Sequence, residues 1–366
     1  MRILIIGLVL LLLSACCKLE DEPTTEDKRT KIIFSHVVGK DTPKGIGANM
    51  FKRLVRERLG EQVVVEVYPN SLLYNDNDVM EVLKSGKVQL AAPSLSKLAK
   101  YHRTWQVFDL PFLFEDIDAV DRFQESQKGK ELLTSLQTDG YVSLAYWHNG
   151  MKQLSANQSL QKPDDVKGLT FRIQKENAND AKKPKPLSVL QAQFTALNAK
   201  TEPMAFSKVY KALQDKNIDG QENTWSNSYS EKYHKVQNHF SQTNHGYLGY
   251  LLIANTDLWK GLDNEVRDEL TKIIKEVTAE VNELANKLDE SSRQEIEKKA
   301  ELFFPDKDER EEWCKAIWHE EMQSDWKRIV NDIGSDILEA AKKANENQER
   351  CPFTTISSIL SESSNE

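Results

Sequence analysis

The sequence contains little cysteine and no long apolar segment beyond its first residues. Four cysteines occur in 366 residues, and none belongs to a Cys-x-x-Cys motif or lies at zinc-ligand spacing from histidines. We therefore predict no structural metal site. No segment after residue 13 is apolar for long enough to cross a bilayer as a helix. A disulfide between Cys314 and Cys351 would suit an oxidising compartment, but the sequence alone leaves it open.

Motifs of catalytic and nucleotide-binding sites are missing as well. Gly-x-Ser-x-Gly, Gly-x-Gly-x-x-Gly, the P-loop pattern and His-Glu-x-x-His do not occur, and the seven histidines are scattered. The formal net charge is −8 and the mean hydropathy is −0.59, so attraction to nucleic acid is not expected. An anionic ligand would need a local basic pocket. We predict neither an enzyme nor a cofactor.

The N-terminus has the features of an export signal. Residues 3–13 form an apolar run that is too short to span a membrane and that follows a single arginine. Leu-Ser-Ala-Cys ends this run, and a lipoprotein signal peptidase requires small residues before the lipidated cysteine. We predict a signal peptide at residues 1–15, a lipid anchor on Cys16 and a flexible tether at residues 16–30. A plain secretory signal is the alternative because Cys17 follows directly, and both interpretations imply export.

Apolar residues recur with strand and helix periods in the N-terminal half. Strands are predicted at residues 31–34, 62–68 and 88–92, and helices at residues 46–59 and 76–85. This alternation favours an α/β domain with a largely parallel sheet.

The C-terminal half has the same mixture and ends in long helical periodicity. Strands are predicted at residues 141–147, 169–173 and 248–254, helices at 189–197 and 207–213, and one long helix or two joined helices at 264–299. The Ser-rich residues 346–366 are predicted to be a disordered tail.

Ten short segments resemble, in order, one family of exported proteins. They are Phe-Ser-His-Val-Val (34 to 38), Thr-Pro-Lys-Gly (42 to 45), Tyr-Pro-Asn-Ser (68 to 71), Ala-Ala-Pro-Ser (91 to 94), Phe-Asp-Leu-Pro-Phe-Leu-Phe (108 to 114), Trp-His-Asn-Gly-Met-Lys-Gln-Leu (147 to 154), Leu-Thr-Phe-Arg-Ile-Gln (169 to 174), Pro-Met-Ala-Phe-Ser (203 to 207), Asp-Gly-Gln-Glu-Asn (219 to 223) and Thr-Asn-His-Gly-Tyr-Leu-Gly-Tyr (243 to 250). Each is weak alone. Together they resemble the solute-binding proteins of tripartite ATP-independent periplasmic (TRAP) transporters, above all the dicarboxylate-binding branch.

The resemblance implies a two-lobed periplasmic-binding-protein clamshell of the α/β class, with a long helix bracing both lobes. Lobe I would comprise residues 31–149 and about 249–288, and lobe II residues 150–248 and about 289–345. A small organic acid, expected to be a C4-dicarboxylate such as succinate, malate or fumarate, would bind between the lobes and close them.

The resemblance also implies a place and a partner for the protein. The loaded protein, lipid-anchored in the periplasm, would deliver the acid to the membrane permease subunits of a sodium-coupled TRAP transporter. The alternative is presentation of the acid to a sensory two-component receptor.

The resemblance implies that Arg172 is the family's characteristic arginine, which binds a carboxylate of the ligand. Its planar guanidinium suits a two-pronged salt bridge to that carboxylate. The structural alternative is an ion pair with an acidic residue across the strand. By the same resemblance, Asn223 would hydrogen-bond this carboxylate and Phe206 would form a pocket wall, although each residue type also suits a turn or the core. Lys152 occupies a position where many members carry a second arginine, and it would act as a point charge.

Residues in or near loops that follow predicted strands are candidates for the far end of the ligand. They are His36, Lys44, Ser94 and Lys97, with Trp147, Asn149, His245 and Tyr247 as further candidates. One departure from the family spacing follows the arginine strand, where the polar residues 175–187 form a longer insertion. We expect a mobile loop there that rims the cleft or contacts the membrane partner.

Overall fold

A computed structural model describes residues 28–175, 187–347 and 349–363 of the chain. The predicted signal peptide, Cys16, most of the predicted tether and residues 176–186 of the insertion lie outside these residues.

Nine strands of the described residues form one mixed sheet. They are β1 (Thr30–Ser35), β2 (Val63–Tyr68), β3 (Leu90–Ala91), β4 (Tyr141–Ala156), β5 (Thr170–Gln174), β6 (Lys200–Met204), β7 (Gly220–Asn223), β8 (His239–Asn255) and β9 (Glu301–Phe303). The strand order is β2-β1-β3-β8-β4-β7-β5-β6, and β9 pairs with β8. Pairing is parallel among β1, β2 and β3 and among β5, β6 and β7, whereas β4 and β8 are antiparallel. The predicted parallel pairing therefore describes the two flanks of the sheet but not its centre.

The two central strands are much longer than predicted. β4 has 16 residues and β8 has 17, whereas the apolar pattern indicated about half of each. Beyond Trp147, the side chains of Asn149, Lys152 and Gln153 are polar yet buried, so the apolar pattern stops before the strand does. β8 pairs with β3 near one end and β4 pairs with β7 near the other. The β4–β8 pair thus connects the two flanks.

Thirteen α-helices surround the sheet in the described residues. They are α1 (Pro43–Leu59), α2 (Val79–Lys84), α3 (Ile117–Glu125), α4 (Gln127–Thr134), α5 (Val189–Ala196), α6 (Val209–Gln214), α7 (Trp225–Ser230), α8 (Thr256–Gly261), α9 (Asn264–Glu297), α10 (Lys307–Ile317), α11 (Gln323–Ile333), α12 (Ser335–Ala344) and α13 (Phe353–Ser363). None of these helices is both long and apolar enough to span a membrane.

α1 begins at Pro43, three residues earlier than predicted. The Thr42 side chain accepts a hydrogen bond from the Gly45 amide, and Pro43 occupies the first turn, so together they start the helix. Gly45 is required because a Cβ there would lie 2.1 Å from the Gly39 carbonyl oxygen. This close packing holds Lys44, in the first turn, against the sheet.

α9 is one continuous helix of 34 residues. Residues from Val266 to Val281 pack against β1, α1 and β2, whereas Ile296 packs with α6, α7 and Phe240. The helix therefore braces both flanks of the sheet, as predicted. The lobe boundaries at residues 149/150 and 288/289 stay a prediction.

The predicted disordered tail is wrong for the described residues after 345. Cys351 forms a disulfide with Cys314, with a Cα–Cα distance of 6.1 Å, and α13 follows it directly. Phe353, Ile356 and Ile359 recur every three residues and are buried in the main core. The serines between these residues hide a short helical period, which explains why composition indicated disorder.

Candidate functional site

A cavity that opens to solvent lies between the N-terminal and middle segments, beside the carboxyl ends of the flanking strands. The cavity and its opening to solvent together comprise about 610 Å³ of unfilled space. The residues around it are Ser35, His36, Val37, Val38, Lys44, Asp76, Val79, Ala92, Pro93, Ser94, Lys152, Arg172, Gln174, Phe206, Glu222, Asn223, Asn227, Leu248 and Tyr250. The carboxyl end of a parallel strand is the usual place for ligands in α/β proteins.

Seven of the twelve predicted ligand-binding residues line this cavity. They are His36, Lys44, Ser94, Lys152, Arg172, Phe206 and Asn223. The other five are buried and bond within the protein. They are Lys97 with Asp76, Trp147 with Thr278, Asn149 with Thr224, His245 with Glu222, and Tyr247 with His148. The structure therefore does not bring these five to the cavity wall.

Arg172 lies in the middle of β5 with 2% of its surface exposed. Phe171 and Ile173 on either side point into the core, so the alternation of the strand turns Arg172 towards the cavity. Its Nε and Nη2 donate to the Met204 carbonyl oxygen at 3.3 and 3.1 Å. Among the residues described, no carboxylate lies within 4.0 Å of it, so the structural alternative of an ion pair is not observed.

Asn223 ends β7 and connects the cavity to α7. Its Oδ1 accepts hydrogen bonds from the Thr224 amide at 3.1 Å and from Asn227 Nδ2 at 3.0 Å. These bonds direct the Asn223 side-chain nitrogen away from its own loop. Asn227 Oδ1 is buried and has no partner in the part of the chain that the structure describes. Both asparagines thus offer polar groups to the cavity.

Lys152, which we expected to act as a point charge, is paired with acidic side chains of the protein itself. Its Nζ lies 3.0 Å from Glu222 Oε1 and 3.5 Å from Asp109 Oδ1, and His245 Nε2 lies 2.9 Å from Glu222 Oε2. Burial opposes the charge of Lys152, but the two carboxylates outweigh burial and raise its pKa. Burial raises the pKa of Asp109, whereas Lys152 and His245 overcome burial to lower the pKa of Glu222. Two buried carboxylates therefore already compensate Lys152.

Lys44 is a second buried cation, placed on the opposite wall by α1. Its Nζ donates to the Ala92 carbonyl oxygen at 3.0 Å and lies 3.6 Å from the centroid of the Tyr250 ring. Within residues 28–175, 187–347 and 349–363, no carboxylate lies within 4.0 Å of this nitrogen. Burial lowers the pKa of Lys44 to about 7, although the charge of Asp76 opposes the shift. Lys44 therefore has no carboxylate partner among the described residues.

His36 lies beside Lys44 and is kept neutral. Burial and the charge of Lys44 lower its pKa to about 3. One ring nitrogen interacts with the Val38 backbone, whereas the other ring nitrogen and the buried Ser35 hydroxyl have no hydrogen-bond partner in the described structure. Buried polar atoms are normally hydrogen-bonded. These atoms therefore mark positions where a ligand or water would bond.

Sequence reasoning missed several residues of the cavity wall, most notably Asp76, Gln174, Asn227 and Tyr250. Gln174 and Tyr250 end two of the family-like motifs, so the motifs themselves carried the signal. Nothing in the sequence indicated that Asp76 lines the cavity, because an acidic side chain is not expected in a site that binds anions. No three His, Cys, Asp or Glu side chains of the described residues cluster as metal ligands.

The chain belongs to bacterial extracellular solute-binding protein family 7, whose pattern matches residues 34–332. It is therefore a binding protein for transport and not an enzyme, as predicted. It is 45% identical over 317 residues to the C4-dicarboxylate-binding periplasmic protein DctP of Vibrio cholerae, covering 86% of this chain and 91% of that protein.

Solved structures of similar proteins share the fold. A TRAP periplasmic solute-binding protein from Shewanella oneidensis with bound succinate has a TM-score of 0.80 and 42% identity, covering 87% of this chain and 100% of that one. Another TRAP periplasmic solute-binding protein, from Pseudomonas aeruginosa with bound L-malate, has a TM-score of 0.75 and 45% identity, covering 82% of this chain and 99% of that one. The predicted TRAP family and its two-lobed clamshell are thus confirmed.

Proposed function

We propose that this chain captures a C4-dicarboxylate such as succinate, malate or fumarate and delivers it to the permease subunits of a TRAP transporter. The observation that carries this proposal is the pair of buried cations, Lys44 and Arg172, on different walls of one cavity. Neither has a carboxylate within 4.0 Å among the described residues, and a buried charge without a partner is costly. A ligand with two carboxylates would supply both partners. The ligands of the Shewanella and Pseudomonas proteins support the same class.

The remaining wall suits the body of such a ligand. Arg172 and the Asn223 side-chain nitrogen would bind one carboxylate, and Lys44 with the Ser35 hydroxyl would bind the other. Phe206 and Leu248 provide apolar surface for the short carbon chain between them. Contacts from both walls to one ligand would stabilise the closed cleft over the open one, which is a population shift and involves no chemical step.

Calorimetric titration tests this proposal, with the chain lacking residues 1–17 and with succinate, L-malate, fumarate, butyrate and galactonate. We expect the dicarboxylates to bind and butyrate to bind far more weakly. Arg172→Met should weaken succinate binding at least about 30-fold, because it removes a buried charge partner. Arg53→Met, on the exposed face of α1, is the matched control and should bind normally. Binding of no C4-dicarboxylate, or normal binding by Arg172→Met, would refute the proposal.

We also propose that a lipid on Cys16 holds the protein near the membrane and that sodium drives uptake. The small residues before Cys16 support the anchor, and the several acyl chains of a bacterial lipoprotein bind a membrane firmly. Mass spectrometry of the N-terminal peptide should find a diacylglyceryl cysteine, and Cys16→Ser should release the protein from membranes. Uptake of labelled succinate by cells should require a sodium gradient. An unmodified N-terminus or sodium-independent uptake would contradict these two points.

A further inference from the structure

One buried ion pair at the edge of the cavity holds backbone groups of the opposite side. Asp76 Oδ2 lies 3.1 Å from Lys97 Nζ, and both residues belong to the N-terminal segment. Asp76 Oδ1 accepts a hydrogen bond from the Phe206 amide at 3.3 Å, and Lys97 donates to the Lys175 carbonyl oxygen. Phe206 and Lys175 belong to the middle segment. The pair therefore joins the two sides of the cleft by two contacts that include no ligand.

Burial makes these contacts depend on closure. The side chains of Lys97 and Asp76 are only 4% and 11% exposed. A buried ion pair stabilises a protein only where further hydrogen bonds satisfy its remaining donors and acceptors. Here the amide of Phe206 and the carbonyl of Lys175 provide such bonds, and opening of the cleft would remove both. Opening would instead expose the pair to water.

We propose that the Asp76–Lys97 pair is a clasp that stabilises the closed cleft independently of the ligand, so that it sets ligand affinity through closure. This proposal rests on the proposed function. Asp76 and Lys97 are thus positioning residues for capture. Asp76 also lines the cavity, whereas Lys97 does not, so the loss of Lys97 should affect every ligand that fits the cavity by the same factor.

Binding kinetics of two single variants and their combination test the clasp. Asp76→Asn removes the charge but keeps an acceptor for Phe206, and Lys97→Met removes the cation but keeps the length. Each should raise the Kd for succinate about tenfold or more, mostly through faster dissociation, because each breaks a charged hydrogen bond. For Lys97→Met, the factor should be the same for fumarate and L-malate. The double variant should be little worse than either single one, because the two residues form one unit.

Neighbouring residues of the same type serve as controls for these variants. Asp78→Asn lies in the same loop and is exposed, and Lys100→Met lies on the same short helical segment. Both controls should bind as the unaltered protein does. Unchanged Kd values for Asp76→Asn and Lys97→Met would overturn the clasp and leave the proposed function intact. A loss confined to one ligand in Lys97→Met would also overturn it, because a weaker clasp should affect every ligand alike.

A distance measurement separates failure of the clasp from failure of the proposed function. Spin labels on Glu57→Cys in α1 and Lys211→Cys in α6 would report the separation of the two sides, since both positions are exposed. The closed cleft should give a shorter distance between the labels than the open cleft. With saturating succinate, this short distance should be less populated in the Asp76→Asn variant than in the unaltered protein. If the unaltered protein binds no dicarboxylate, the proposed function fails. The distances measured without ligand then test the clasp by itself. Identical distributions in both proteins would overturn the clasp, whereas a short distance lost in Asp76→Asn would support it.

Discussion

We predict that Lys44 makes the affinity for a dicarboxylate depend on pH. In the ligand-free cavity its pKa is about 7, because burial opposes the charged form. A bound carboxylate favours the cation and raises this pKa. Below pH 7 the ligand-free lysine already carries its proton, so affinity should reach a plateau. Above pH 7 the neutral amine must take up a proton on binding, so affinity should fall as pH rises.

The magnitude follows from the same pKa. Each pH unit above 7 reduces the cationic fraction of Lys44 tenfold, which weakens binding by about 1.4 kcal/mol per unit while the lysine of the complex stays charged. Affinity near pH 9 should therefore be about a hundredfold below the plateau near pH 6. At pH 8 the ligand-free lysine is about nine-tenths neutral, so binding should take up about 0.9 proton.

Titration calorimetry in buffers of different ionisation enthalpy measures affinity and proton uptake together. The control is Lys44→Met, which should bind weakly at every pH and lose the steep fall in affinity above pH 7. Glu231 and Asp289 also have pKa values raised to about 7 by burial, but neither lines the cavity, so any effect of theirs should persist in Lys44→Met. A constant Kd from about pH 6 to about pH 9 in the unaltered protein, without proton uptake, would refute the reasoning.

Three further changes test other parts of the structure. Lys44→Met should raise the melting temperature of the ligand-free protein at pH 7. The pKa of this lysine is 10.5 in the unfolded chain and about 7 in the folded protein, so the lysine lowers the stability of the folded protein at pH 7, and this cost diminishes as pH rises to 10.5. An unchanged or lower melting temperature of the variant at pH 7 would contradict this. Asn223→Ala should weaken succinate binding about tenfold without altering the closed distance, measured by calorimetry and spin labels. Cys314→Ser with Cys351→Ser should lower the free energy of unfolding by about 2 to 5 kcal/mol in denaturant melts, and no change would show that the C-terminal helices are held by packing alone.

Local patterns predicted the flanks of the molecule well because their side chains follow simple rules. β1 and β5 have buried apolar residues at strand spacing, and α9 has apolar residues at helical spacing along its whole length. The ends of β4 and β8 escaped prediction because their buried residues there are polar. Such breaks of the apolar pattern are expected where a protein builds a site.

The site itself was predictable only in part. Arg172, Asn223 and Lys44 came from resemblance to a family, and the structure brings all three to one cavity. The compensation of Lys152 by Asp109 and Glu222 could not be foreseen, because it joins residues that are up to 113 positions apart in sequence. Ion pairs of this kind depend on the tertiary fold and leave no local pattern.

From the charge distribution within the site, we predict that a ligand with two carboxylates binds better than a ligand with one. Lys152 and Lys97 are buried next to acidic side chains, so they add little attraction for a ligand. Lys44 and Arg172 are buried without such partners in the described structure, on different walls. A monocarboxylate would pair only one of them and leave the other charge buried in the closed cleft, which is costly. A ligand that brings one carboxylate to each wall should therefore favour closure more than a monocarboxylate does.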